Sequence, residues 1–158
     1  IGKSRQKIIK EGEIIQISMG ASICGYVASF GRPIIFGKMD SKIRQIIEVA
    51  IEANFLTGDL MKPGVKASFV AKKVHDFIRE RGFSDYIVYG PAHGIGMAEC
   101  EHPFVESNSD FKLKSNMTFA IDTFLGSRDF GLRFEDAGLI TDYGVEKFSC
   151  YRKEVINL

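Results

Sequence analysis

Three residues in the second half of the chain carry side chains that could bind a metal ion or transfer a proton. His93 lies in the glycine-dense segment GPAHGIG, where the backbone can approach a ligand closely. Asp122 and Glu135 follow in two segments whose apolar residues alternate as in β-strands. One imidazole and two carboxylates form a ligand set that suits a divalent metal ion. These residues alone leave a second interpretation open, in which the carboxylates lie on a solvated sheet face and the histidine is structural.

The alternation within these two segments predicts which side chains share a face. In MTFAIDTFL (117–125) Met117, Phe119 and Ile121 fall on one face and Asp122 on the other, because successive side chains of a strand point in opposite directions. In GLRFEDAGLIT (131–141) Arg133 and Glu135 share the face opposite the apolar residues. We therefore expect these three charged residues to surround a polar pocket on the side of the sheet that the helices leave uncovered.

The remaining segments predict an α+β domain. Asp40 or Ser41 can cap a helix that continues to about residue 57, and a second apolar stripe at helical spacing, which includes Phe69, ends at Gly82. Segments with the pattern of strands are 13–20, 24–37, 86–89, 117–125, 131–141 and 146–151. This order predicts two helices on one face of a mainly antiparallel sheet, within a single domain over residues 1–158.

Composition narrows the classes of partner. The 158 residues include 21 basic and 20 acidic side chains, so the chain lacks the basic excess that binding to nucleic acid or an anionic membrane requires. No apolar run approaches the roughly 20 residues of a membrane-spanning helix. Widely spaced cysteines without a CxxC pair, and no signal peptide, predict a cytoplasmic protein. Because the chain opens with Ile almost directly on a strand signal, we expect it to be the C-terminal part of a longer protein.

Several motifs resemble those of the creatinase/aminopeptidase family, which includes methionine aminopeptidase, Xaa-Pro aminopeptidase and prolidase. The similar segments are MKPGVKASFVAKKVHDFI (61–78), HGIG (93–96), MTFAIDTFL (117–125) and GLRFED (131–136), in the family's order. The resemblance implies a pita-bread fold, in which helices lie on the outer face of a curved, mainly antiparallel sheet. It also implies a homodimer, and a domain that is truncated at its N-terminus.

The chain departs from the family's pattern at several site positions. Ser18 and Ser29 stand where the resemblance places the first two metal-binding aspartates, so neither position carries charge. Asp122 replaces a longer glutamate. Cys100 replaces a second histidine that contacts substrate in the peptidases, and His102 lies nearby but out of register.

What remains of the family's metal site is His93, Asp122 and Glu135. Two divalent ions need about four or five ligands, mostly carboxylates, so this set suits at most one ion of Mn, Co or Zn, or none. The resemblance further implies His93 and Glu135 as catalytic residues, with Glu135 as the proton acceptor for a water molecule. Without a metal ion, one carboxylate should titrate upward or pair with Arg133.

Two functions follow from the resemblance. The first is a hydrolase of a C–N bond in a peptide or small amide, either Xaa-Pro peptidase-like with one metal or creatinase-like with none. Cys100, His102 and Arg133 are then candidate substrate contacts. The alternative is a catalytically inactive pita-bread domain that binds peptides or small amides.

Overall fold

A mainly antiparallel sheet forms the frame of the domain in the computed structural model, which describes residues 6–158. Its strands are β1 (Ile14–Ile23), β2 (Tyr26–Ile35), β3 (Ala92–Gly94), β4 (Glu101–Val105), β5 (Thr118–Gly126), β6 (Gly131–Thr141), β7 (Gly144–Lys147) and β8 (Ile156–Asn157). Their order is β1-β2-β6-β5-β3-β4, with β7 beside β6 and β8 beside β2. Only β8 runs parallel to its neighbour among the described strands, so the predicted α+β architecture is confirmed.

Two helices, α1 (Ser41–Leu60) and α2 (Ala67–Glu80), contribute their apolar stripes to one core. Helix α1 packs against β5 and β6, and α2 packs against α1 and β4. Asp40 caps α1 as predicted, because its carboxylate accepts hydrogen bonds from the backbone N–H groups of Lys42 and Ile43. No helix in the described part of the chain has the length and apolarity that a membrane span needs.

Two predicted features at the periphery are wrong. Phe69 is 47% exposed rather than buried, because it lies beside the buried face of α2, which Ala67, Val70, Ala71, Val74 and Ile78 form. The predicted strand 146–151 ends at Lys147. The chain turns after that point and brings the Ser149 hydroxyl to a carboxylate on β6.

The predicted strand at 86–89 is also wrong. A single 3-10 turn at Ser84–Tyr86 uses backbone N–H groups that a strand ladder would need. One isolated bridge, from Ile87 to Leu125 of β5, remains of the expected pairing. The segment nevertheless runs along β5, and this course places Tyr89 beside that strand.

The pairing register brings residues of four strands into one row across the sheet. Ser18 of β1 is paired with Gly31 of β2, which is paired in turn with Glu135 of β6. Glu135 is paired with Asp122 of β5. Directly paired residues of neighbouring strands project to the same face, so this row lies on the face that the helices leave uncovered. His93 of β3 is paired with the residue two before Asp122 and projects to that face as well.

Candidate active site

The Arg133 guanidinium lies between the carboxylates of Asp122 and Glu135. Its Nε is 3.1 Å from Oδ1 of Asp122, and its Nη1 is 3.7 Å from Oε2 of Glu135. Both carboxylate side chains are 1% exposed, whereas Arg133 is 28% exposed. Two buried carboxylates side by side repel each other unless a positive charge offsets them. Arg133 provides that charge, and the predicted pairing of a carboxylate with Arg133 is confirmed.

Burial raises the pKa of Asp122 to about 6, although the positive charge of Arg133 and a hydrogen bond from Tyr89 act in the opposite direction. The nearby charge of Glu135 adds a smaller upward effect. Asp122 therefore changes its protonation state close to neutral pH. The prediction that one carboxylate of the pair titrates upward is confirmed as well.

Tyr89 belongs to this cluster, and sequence analysis missed it. Its hydroxyl donates a hydrogen bond to Oδ2 of Asp122 and accepts one of 3.0 Å from Nη2 of Arg133. Its ring stacks on Phe124, with centroids 5.6 Å apart and an interplanar angle of 15°. Burial raises the pKa of Tyr89, and the charge of Asp122 raises it further, so the hydroxyl keeps its proton and remains a donor. Its position directly before the glycine-dense histidine segment was the one available signal.

The two serines that the resemblance places at the family's aspartate positions lie at different depths. Ser29 is buried, and its hydroxyl donates a hydrogen bond of 2.6 Å to Oε1 of Glu135. Ser18 is exposed on the edge strand β1, where its hydroxyl accepts a hydrogen bond of 3.4 Å from Nε2 of Gln16. Ser29 is thus in contact with the carboxylate pair, and Ser18 lies at the margin of the site.

A pocket of about 370 Å³ opens beside the cluster. Its lining consists of Tyr89, Gly90, Ala92, His93, Glu99, Cys100, Phe104, Glu106, Asp122 and Arg133. Four of the residues predicted from the sequence therefore meet in one cavity. Glu135 contacts the guanidinium of Arg133 without lining the pocket.

His93 has one ring nitrogen engaged by the backbone and the other directed to the cluster. Nδ1 donates a hydrogen bond of 2.9 Å to the carbonyl of Gly94, because only a protonated ring nitrogen can bond a carbonyl oxygen. In the neutral ring, Nε2 is then the acceptor nitrogen. It lies 3.8 Å from Oδ2 of Asp122, which is too far for a direct hydrogen bond. His93 can therefore accept a proton from a molecule in the pocket.

Cys100 lines the pocket as a thiol. Burial and the charge of Asp122 raise its pKa, so little of the nucleophilic thiolate forms at neutral pH. His102 is exposed and packs edge-on against Phe104, with ring centroids 4.6 Å apart. It is not among the residues that line the pocket, and its role as a substrate contact stays a prediction.

The side chains of this site do not fit a divalent metal ion in the arrangement described. Within residues 6–158, no three His, Cys, Asp or Glu side chains converge on a point that could hold a cation. A divalent ion needs several oxygen or nitrogen ligands around it. The guanidinium of Arg133 takes the space between Asp122 and Glu135, and the Ser29 hydroxyl already donates to Glu135.

Fold and site together define a class of protein. A mainly antiparallel sheet with helices on one face, and a pocket of histidine, carboxylates and arginine on the other, is the pita-bread domain that the motifs predicted. The sequence profile of metallopeptidase family M24 matches residues 2–142. The chain belongs to this family.

The similar proteins include Xaa-Pro dipeptidases of known sequence and structure. The Xaa-Pro dipeptidase of Pyrococcus furiosus is 28% identical over 156 residues, covering 98% of this chain and 45% of that protein. The Xaa-Pro dipeptidase of Lactobacillus delbrueckii subsp. lactis is 30% identical over 148 residues, covering 93% and 40%. The solved structure of the Xaa-Pro dipeptidase from Bacillus anthracis superimposes with a TM-score of 0.91 at 27% identity, covering 98% and 44%. The chain therefore spans less than half the length of these relatives.

Proposed function

We propose that this chain is an Xaa-Pro dipeptidase-like hydrolase domain that cleaves a C–N bond in a short peptide or small amide. The observation that carries the proposal is the pocket, which brings His93, Asp122 and Arg133 together on the helix-free face. Membership of family M24 and the similarity to Xaa-Pro dipeptidases support the same reaction class.

The size and charge of the pocket favour a small ligand with a positive group. A volume of about 370 Å³ is at the lower end of the range for ligand pockets and suits a dipeptide-sized molecule. Glu99, Glu106 and Asp122 outnumber the single positive charge of Arg133 in the lining. Since charge complementarity selects ligands, we expect a free α-amino group or a similar cation in the preferred ligand.

His93 is the residue best placed to transfer the proton. In the proposed reaction its Nε2 takes a proton from the attacking water molecule and returns it to the leaving nitrogen. Arg133 faces the pocket with part of its guanidinium exposed and stabilises the oxygen that gains negative charge. We assign Glu135, which contacts Arg133 and accepts the Ser29 hydrogen bond, to holding this guanidinium.

The proposed reaction uses no two-metal centre. The serines at positions 18 and 29 supply no charge, and the remaining ligand set suits no more than one ion of Mn²⁺, Co²⁺ or Zn²⁺. No step above passes through a metal ion, so hydrolysis is expected to persist in the presence of a chelator.

A second function, peptide binding without hydrolysis, is favoured by one observation. Arg133 forms ion pairs with both carboxylates of the site, and this positive charge makes each of them a weaker base toward water. In that case the pocket would bind a short peptide or small amide and release it unchanged.

Parallel measurements of binding and hydrolysis distinguish the two functions. Xaa-Pro dipeptides and small amides are incubated with the protein in EDTA, with calorimetry for binding and chromatography for products. Hydrolysis that His93→Gln slows by at least about 100-fold, with the affinity retained, supports the hydrolase. Binding without products supports the second function, and no binding across the panel contradicts both. Arg79→Gln, at an exposed residue of α2 that pairs with Asp76, is the control.

A further inference from the structure

We propose that Arg133 is the resident cation of this pocket and that it excludes divalent metal ions from the carboxylate pair. In a family of metallopeptidases, the positive charge at such a pair is expected to come from metal ions. In this chain the guanidinium contacts Asp122 and Glu135 itself. The inference concerns the same pocket as the proposed function, but it requires no substrate and no hydrolysis.

Because of the charges of the site, the guanidinium of Arg133 and a divalent metal ion cannot both bind the carboxylate pair. Asp122 and Glu135 are paired directly across β5 and β6, and both are buried. A divalent ion that used these carboxylates as ligands would have to displace the guanidinium or lie next to a like charge in a poorly solvated environment. An arginine stays protonated at any pH at which the protein is folded. A change of pH therefore does not remove the positive charge that excludes the metal ion.

Arg133 is held in place from several sides. Its backbone N–H donates a hydrogen bond of 2.7 Å to Oε1 of Gln16 on β1. Its Nη2 donates to the Tyr89 hydroxyl, and its Cζ lies 5.8 Å from the centre of the Phe124 ring. The bond to Gln16 holds the backbone at residue 133, and the contacts with Tyr89 and Phe124 hold the side chain beside the carboxylates.

Strand β2 provides the space for this arginine and adds no negative charge to the site. A Cβ atom at Gly31 would lie 3.3 Å from both Cγ and Cδ of Arg133, so a side chain at position 31 would press on the methylene groups. Ser29, two residues earlier, adds only a neutral hydroxyl, which donates to Oε1 of Glu135. Removing Arg133 would therefore leave an unneutralised carboxylate pair with His93 nearby.

Titration with Mn²⁺ alone, followed by calorimetry and electron paramagnetic resonance, tests this inference. The wild-type protein is expected to bind no Mn²⁺ at the pocket. Arg133→Gln should bind one Mn²⁺ under conditions in which wild type binds none, and adding Asp122→Asn should remove that binding. Arg133→Lys keeps a positive charge and should still exclude Mn²⁺, and Arg79→Gln on the surface of α2 should behave as wild type.

Urea unfolding in EDTA and in Mn²⁺ covers the case in which Arg133→Gln does not fold. An unfolded variant is then expected to refold when Mn²⁺ is added, because an ion that binds only the native state stabilises it. The inference is overturned if wild-type protein binds Mn²⁺ and loses it on Asp122→Asn. It is also overturned if Arg133→Gln gains neither Mn²⁺ affinity nor Mn²⁺-dependent folding. Since no peptide is present, failure here does not decide the proposed hydrolysis.

Discussion

Asp122→Asn should remove a pH dependence of stability that the wild-type protein shows between about pH 4 and pH 6. Burial raises the pKa of this carboxyl from 3.8 to about 6, against the opposing effects of Arg133 and Tyr89. The side chain is 1% exposed, so solvent does little to weaken the effect. Asparagine has nearly the same shape as aspartate, and its side chain does not titrate.

The sign follows from proton binding. Between the unfolded and folded pKa values, the folded protein binds more protons at Asp122 than the unfolded chain does. The free energy of unfolding must then fall as the pH rises through this range. Below about pH 4 the carboxyl of Asp122 therefore does not lower the free energy of unfolding. Above about pH 6 it lowers that free energy by the full amount. A pKa difference of about two pH units corresponds to about 3 kcal/mol.

Urea unfolding of wild type and Asp122→Asn at several pH values from about 3.5 to 7 measures this effect. The difference between the two free energies of unfolding should change by about 3 kcal/mol across the range, with the wild type losing relative stability as the pH rises. Asp110→Asn, at a largely exposed carboxylate, is the control and should run parallel to wild type. Parallel curves for wild type and Asp122→Asn would refute the assignment of a raised pKa to this residue.

Two further predictions concern the buried polar contacts that hold β6 beneath the site. Asp136→Asn should lower the free energy of unfolding by about 3–5 kcal/mol, because it leaves Arg32, 1% exposed and 2.7 Å from the carboxylate, without its ionic partner; a loss below about 1 kcal/mol in urea unfolding would contradict this. Asn54→Ala should cost about 1–3 kcal/mol, since the Asn54 amide donates bonds of 2.8 Å and 3.1 Å to buried carbonyls of β5 and β6. Thermal unfolding measures the second effect, and an unchanged midpoint would show that these carbonyls find other donors.

The faces of β5 and β6 could be predicted from the sequence because they depend on local geometry. Leu132 and Phe134 lie in the core, while Arg133 and Glu135 project to the opposite face, as period-two alternation requires. The cap at Asp40 is similarly local, since its hydrogen bonds reach only two and three residues along the chain. In both cases the backbone of a few consecutive residues determines the outcome.

The contacts inside the site depend on residues far apart in the chain, and local patterns do not specify them. Tyr89 is 33 residues from Asp122, and Gln16 is 117 residues from Arg133. The register between strands decides which of these residues meet. If β2 were shifted by one residue against β6, Gly31 would no longer face Glu135, and its neighbours' side chains would change faces. No alternation pattern within a single strand contains that information.

The ion pairs of Arg133 are consistent with the absence of charge at positions 18 and 29. Arg133 forms ion pairs with Asp122 and Glu135, and neither Ser18 nor Ser29 offers a competing negative charge. Two carboxylates carry at most two negative charges, and protonation of Asp122 near pH 6 lowers that total. One guanidinium offsets much of that charge, whereas two divalent ions would overcompensate it. The two carboxylates at this site therefore need no more than a single organic cation beside them, and Arg133 is in position to provide it.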